Sequence, residues 1–308
     1  MGDIISTLPA VTDAKVAIAG ISCDWVVEEN FVEIPSWHPA INSVIPIALR
    51  RWRKNLFNLA TMREMQVFWK KIKAEQYDYI LDVQGLLKSA IVSRIARGIS
   101  CGFNAVNARE PIAAHFYQNN FNIFKGLHAV ERSRQLFAAA LGYKIAEEKP
   151  NYGIMKEKFY KKDNITEKYL VFIHGTSRSN KCWQEEKWVE LARLAKIAGF
   201  KVKLPWGNNL EFTRANNIAA TSDNVEVLPK STLTEMGAIL LGARGVVALD
   251  TGLSHLSAAL SVPAVSLYGP TNPKLAGTYG ENQTHLINME NLNAKDVWQK
   301  MMSMGLSL

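Results

Sequence analysis

The sequence predicts an α/β protein made of two successive Rossmann-like halves with parallel sheets. Short apolar runs suited to buried parallel strands alternate with stretches of helical spacing, and this alternation occurs twice. A polar, lysine-rich stretch around Glu147 to Tyr160 separates the two series and reads as a linker. The segment Gly245 to Pro273 condenses one complete βαβ unit. At 308 residues the chain is long for one core and comfortable for two. The expected domains are residues 1–152 and 153–308, with the closing helix a candidate to pack back on the first half.

Hydrophobic residues make up 48% and charged residues 21%, which describes a globular chain rather than a disordered one. No run approaches the roughly 18 apolar residues of a spanning helix, and no cationic, apolar leader opens the chain, so a cytoplasmic protein is expected. Cys23, Cys101 and Cys182 are too scattered for a disulfide framework or a zinc spacing. Thirty-six Lys and Arg against 28 Asp and Glu leave a net charge of +8, which suits an anionic partner. Charge alone leaves nucleic acid, acidic lipid and a phosphorylated glycan open.

In chain order, Ile4, Ile5, Leu8 and Val11 fall at helical spacing, with Pro9 expected to kink or end the helix early. Asp3 then stands at a helix N-terminus, where a carboxylate is a common cap. Cys23 to Val27 and Ser43 to Ile47 read as strands, and the densest positive run, Arg50-Arg51-Trp52-Arg53-Lys54, follows. Such a run is ordinarily a solvated face, yet an aromatic between guanidinium groups also makes a platform for a phosphorylated sugar. Phe68 to Lys73 reads as an amphipathic helix, Tyr79 to Val83 as a buried strand, and a helix carrying Lys88, Arg94 and Arg97 begins near Leu86. The segments around Arg109 and around His128 to Arg132 read as polar loops or caps.

The second half opens with the strand Tyr169 to Ile173, which runs into His174-Gly175-Thr176-Ser177 and on to Lys181. Hydroxyls, a glycine and cations after a buried strand suit an anion cradle, with a plain polar loop as the alternative. A helix over Trp188 to Ala198, strands at Lys201 and Val225, and helices over Leu233 to Leu241 and Ala294 to Met304 complete the series. In the βαβ unit, the run Val246 to Leu249 stops at Asp250-Thr251-Gly252, Leu253, Leu256 and Leu260 mark a helix, and Ala264 to Tyr268 runs into Gly269-Pro270-Thr271. Ligands of open parallel sheets sit beyond the strands' carboxyl ends, and both ends here carry glycine and hydroxyl residues. The N–H groups opening the Leu253 helix would attract phosphate, and Asp250 could accept sugar hydroxyls.

The strings Asp250-Thr251-Gly252-Leu253-Ser254-His255-Leu256 and Tyr268-Gly269-Pro270-Thr271 resemble the donor-site signatures of the ADP-heptose lipopolysaccharide heptosyltransferases. The resemblance covers nearly the whole chain. It implies a GT-B arrangement of two facing Rossmann-like domains and an inverting transfer of heptose from ADP-heptose to the Kdo of Kdo-lipid A. By the same resemblance Thr176, Ser177, Lys181, Thr251, Gly252 and His255 would bind the donor's diphosphate region, Glu211 the adenosine ribose and Asp250 the heptose. Ser177 stands where the family leads one to expect threonine, which keeps the hydroxyl. Asp3 would be the general base, Lys181 would stabilise the leaving group, and Arg50, Arg51, Arg53, Lys54 and Arg109 would face the acceptor.

The resemblance further implies a monomer in peripheral contact with the cytoplasmic face of the inner membrane, with no nucleic acid, no metal and no other cofactor. No Asp-x-Asp occurs in the chain. The family places a short apolar strand ahead of the Gly-Asp that here occupies positions 2 and 3, so two neighbouring strands of the first half are expected to lack a shared partner. A later-step heptosyltransferase, a nucleotide-sugar epimerase on the same fold, and a non-catalytic sugar-nucleotide-binding protein remain the alternatives.

Overall fold

The computed structural model describes residues 1–55, 57–159, 167–176 and 182–305. It divides into two compact units, one of residues Ser6–Gly153 and one of Met1–Ile5 with Ile154–Leu308.

The Ser6–Gly153 unit begins inside α1 (Gly2–Ala17), whose 16 residues run through Pro9 without a break. The early stop expected at Pro9 is thus corrected. Ile5, Leu8, Val11 and Ala14 are almost wholly buried, and that burial offsets the hydrogen bond a proline cannot donate. Next come β1 (Cys23–Glu28), the single turn α2 (Glu33–Ser36), β2 (Ile41–Ile47), α3 (Leu49–Trp52), α4 (Leu59–Ala74), β3 (Gln76–Leu81), α5 (Leu87–Ile95), β4 (Arg97–Phe103), β5 (Asn119–Phe121) and α6 (Ala129–Leu141).

These strands make two parallel sheets, β1–β2 and β3–β4–β5, in place of one. Among the described residues no strand joins β1 to β3, as expected, and the phenol of Tyr77 on β3 donates to Asp24 Oδ2 on β1 at 2.9 Å. Pro46 is tolerated in β2 because, among the described residues, only β1 pairs with that strand. β3, expected to be buried, is half exposed, with Tyr79 at 43%, since among the described residues β4 alone pairs with it. Ala10, Val11 and Ala14 of α1 pack with Trp25, Leu81 and Phe137, so this helix ties both sheets together.

In the second unit, β6 (Tyr169–Ile173), α7 (Glu185–Ile197), β7 (Lys201–Leu204), α8 (Asn209–Ala219), β8 (Val225–Val227), α9 (Leu233–Gly242), β9 (Gly245–Leu249), α10 (Gly252–Ala259), β10 (Ala264–Leu267), α11 (Pro273–Ala276), β11 (Gln283–Leu286) and α12 (Ala294–Met302) follow in turn. The six parallel strands lie in the order β11-β10-β9-β6-β7-β8. β6 and β9 are buried at every position, which is why each reads as a continuous apolar run. Phe172, Trp188, Leu191, Val202 and Leu267 form the core, and α12 adds Ala294, Val297 and Met301 to it. The closing helix therefore spends its apolar face within its own unit. The chain turns outward from β6 toward β8 and then restarts on the other side at β9, so the topological switch point lies between β6 and β9.

Candidate active site

The register Ile173↔Ala248 sets the carboxyl ends of β6 and β9 side by side, so the loops leaving them start as neighbours at the switch point, where parallel sheets form a ligand crevice. From β6 come His174, Gly175 and Thr176; Ser177 and Lys181 lie outside the described residues. From β9 come Asp250 and Thr251, the latter extended at φ −142° and ψ 171° as the N-cap of α10. Ser254 Oγ accepts from the Thr251 N–H at 3.3 Å and donates to the Thr251 carbonyl at 2.6 Å, which locks the turn. The Thr251 hydroxyl itself is buried and has no partner among the described residues. An orphaned hydroxyl beside the open N–H groups of a helix start is arranged to receive an anionic oxygen.

The first residues of the chain complete this region. The Met1 side chain occupies the space that a Cβ on Gly252 would need, so a larger residue there would have to displace it. A Cβ on Gly2 would lie 3.0 Å from the ring of His255, which is 9% exposed. Asp3 follows in the first turn of α1. Three expected site residues, Thr251, Gly252 and His255, thus stand within reach of the segment that carries Asp3.

Glu211 stands in the first turn of α8, where Asn208 Oδ1 caps its N–H at 3.0 Å. Its Oε2 accepts from the Gly207 N–H at 2.7 Å, and its carboxylate lies against Gly175, where any side chain would collide. The exits of β7 and β6 therefore meet at this carboxylate. Two residues that sequence reasoning missed brace the same corner. Arg214 donates from Nη1 to the His174 carbonyl at 3.3 Å, and Cys182 Sγ lies 3.4 Å from the same nitrogen. The i, i+3 spacing of Glu211 and Arg214 on one helix was the available signal. His174 is fully buried beside Trp188; burial and then the charge of Arg214 pull its pKa down to about 4, so it is neutral. Tyr268, fully buried, accepts from the Thr278 N–H at 2.9 Å and props the Gly269–Thr271 loop as a pillar rather than as a ligand.

The cations of the first half divide by what they touch. Arg51 makes a two-pronged pair with Glu29 at 3.1 and 3.0 Å and also reaches Glu64 at 2.8 Å. Trp52, expected as an exposed platform, is 4% exposed; its indole N–H donates to Glu64 Oε2 at 3.0 Å and its ring meets Phe68 edge-on. The basic run folds as the short helix α3, and its apolar side has to be buried, which takes Trp52 inward. Arg50, Arg53 and Lys54 remain exposed. Arg109 is exposed too, near Arg132, whose guanidinium stacks 4.4 Å from the Phe103 ring and donates to the Asn107 carbonyl at 2.7 Å. Burial first, and the charge of Arg109 second, hold the Arg132 pKa below its usual range. His128 caps α6 by accepting from the Val130 N–H at 3.2 Å.

Residues 65–304 match the family model described as glycosyltransferase family 9 (heptosyltransferase). The chain is 47% identical over 305 residues to lipopolysaccharide heptosyltransferase 1 of Salmonella typhimurium, covering 97% of this chain and 96% of that protein. Its fold is similar to that of the Escherichia coli heptosyltransferase WaaC solved with ADP, at a TM-score of 0.94, 44% identity, and coverage of 99% and 97%. It is also similar to the same enzyme solved with ADP-2-deoxy-2-fluoro heptose, at a TM-score of 0.91, 44% identity, and coverage of 98% and 96%.

Proposed function

The chain belongs to glycosyltransferase family 9, the heptosyltransferase family, and from that premise we propose that it moves L-glycero-D-manno-heptose from ADP-heptose to the Kdo of Kdo-lipid A. The observation that carries this reading is the crevice at the β6/β9 switch point: an orphaned Thr251 hydroxyl and the N-terminus of α10, with Met1 and Gly2 packed against Gly252 and His255. The relatives solved with ADP and with a fluorinated ADP-heptose support an ADP-sugar as the ligand of such a site.

In this reading Thr176, Ser177, Lys181, Thr251, Gly252 and His255 hold the diphosphate, Glu211 the ribose and Asp250 the heptose. Asp3 takes the proton from the attacking Kdo hydroxyl. That oxygen bonds to the anomeric carbon from the face opposite ADP while the bond to the phosphate oxygen breaks, so configuration inverts. Lys181 and the α10 N-terminus stabilise the charge that collects on the departing ADP, the service a divalent ion renders elsewhere. Arg50, Arg53, Lys54 and Arg109 bind the carboxylates and phosphates of the acceptor. Arg51 belongs to this group only indirectly, by holding the run in place through Glu29 and Glu64.

The working form is a monomer on the cytoplasmic face of the inner membrane, where a lipid-anchored acceptor would be presented. Among the described residues no helix is long and apolar enough to cross a membrane. Offering ADP-heptose with Kdo-lipid A and, separately, with an already heptosylated acceptor tests the assignment. Mass spectrometry is expected to show one added heptose on the first and none on the second, and the reverse pattern would make this a later-step transferase.

A further inference from the structure

The helix α4 carries two unlike faces. Thr61, Phe68 and Ile72 are buried against the core that holds Trp52 and Ile45. At 100° per residue, Leu59, Met62, Arg63, Val67, Lys70 and Lys73 fall on the opposite side, and all six are exposed. Leu59 is 73% exposed, Met62 48% and Val67 69%, while Phe57, just before the Asn58 cap, is 98% exposed. Scattered exposed apolar residues are ordinary, but four of them gathered on one turn-and-helix segment mark a surface that meets something.

The charges around that patch say what it meets. The only acid of α4 is Glu64, and it is turned away to Arg51 and Trp52, so Arg63, Lys70 and Lys73 stand without an acid among them on the outer face. A helix with apolar residues interleaved with cations on its free side, and no acid there, suits the headgroup region of an anionic bilayer: the cations meet lipid phosphates and the apolar side chains enter the acyl boundary. A soluble acidic protein would match the cations but not the projecting Phe57, Leu59 and Val67.

We propose that Phe57 and the outer face of α4 are the surface by which the protein docks on anionic lipid. This deepens the reading above that the acceptor is presented in a membrane, and it rests on that reading. The test is co-sedimentation with vesicles of phosphatidylcholine, with and without phosphatidylglycerol, using wild type, the triple variant Phe57→Ser/Leu59→Ser/Val67→Ser and the double variant Lys70→Glu/Lys73→Glu. An unaltered circular-dichroism spectrum and melting profile, with transfer to a soluble acceptor retained, confirm that each variant is folded.

Wild type is expected to bind the anionic vesicles in a salt-sensitive manner, the charge-reversed variant at least ~10-fold more weakly, and the serine variant more weakly even at low salt. Transfer to a soluble, lipid-free Kdo acceptor should be unchanged in both. Equal vesicle binding by all three proteins would overturn the proposal. So would sedimentation velocity showing that wild type dimerises and the serine variant does not, since the face would then join two copies of the chain. Failure to heptosylate the soluble acceptor would instead refute the enzymatic reading, whatever the vesicles show.

Discussion

Asp3 stands in the first turn of α1, two residues after a methionine that packs on Gly252 and next to a glycine that packs on His255. A carboxylate there has a structural use as a helix-start charge as well as the chemical use proposed, and the two separate on substitution. Asp3→Asn should keep ADP affinity within a factor of about 2 and lower turnover by ~10²-fold or more, as for loss of a general base. Calorimetry with ADP and steady-state kinetics check it, and wild-type turnover would remove Asp3 from the mechanism. Arg51 shows where residue-scale reading runs out. The cationic run was visible in the sequence, but its division of labour was not, because Glu29 lies 22 residues away and is brought to Arg51 only by the fold. Thr251 supplies a sharper case, because an unpartnered buried hydroxyl costs stability until a ligand satisfies it. Thr251→Val should therefore leave the ligand-free protein as stable or more stable by up to ~1 kcal/mol, while ADP binds about 5- to 30-fold more weakly. Thermal unfolding with and without ADP reads both signs, and unchanged ADP affinity would take the hydroxyl out of the site.

At the scale of elements, the strands plainest in the sequence are β6, β9 and β10, buried on both faces, because full burial writes an unbroken apolar run; β1, β2, β3, β7 and β8 were legible as well, from shorter apolar runs. Sequence reading missed β4, β5 and β11. β4 opens on Arg97-Gly98, and Arg97, expected on the preceding helix, in fact starts this strand; β5 is the three residues Asn119–Phe121, and β11 is the four residues Gln283–Leu286, half-buried throughout, so none shows the period that announces a strand. Elements are also held by groups no periodicity reveals, and His38 is one. It is 1% exposed, its Nδ1 accepts from the Ala40 N–H at 3.1 Å, and its Nε2 therefore carries the proton and donates to Thr12 Oγ1 at 3.0 Å, joining the β1–β2 region to α1. Burial first, and the charge of Lys15 second, lower its pKa to about 4. The unfolded chain takes up a proton near pH 6.5 and the folded one does so only near 4, so stability is complete above the unfolded value and falls as pH drops through that window. The expected loss is up to ~1.4 kcal/mol per pH unit. His38→Gln should remove one proton's share of the slope in urea unfolding between those pH values, leaving the like share of His174; an unaltered slope would show that His38 is protonated in the fold.

At the scale of the molecule, two series of strands and helices were legible from alternation, and so was the donor crevice, because its residues cluster in two short strings after buried strands. The strand order that makes those strings neighbours was not, since pairing β6 with β9 joins segments more than 70 residues apart, and parallel register leaves no mark in local sequence. The split of the first half into two sheets was expected from the resemblance, but which strands flank the gap, β1 and β3, came only from the fold. The activity proposed for the chain is a coupling: the bond to ADP breaks as the bond to the acceptor forms. The most direct test is a reaction in EDTA with ADP-heptose, followed for ADP release with and without Kdo-lipid A. Coupled transfer predicts negligible ADP without acceptor and, with it, one ADP for each heptose added. ADP released at the same rate without acceptor, binding of ADP-heptose with no release under either condition, or activity that returns only when magnesium is supplied would contradict it.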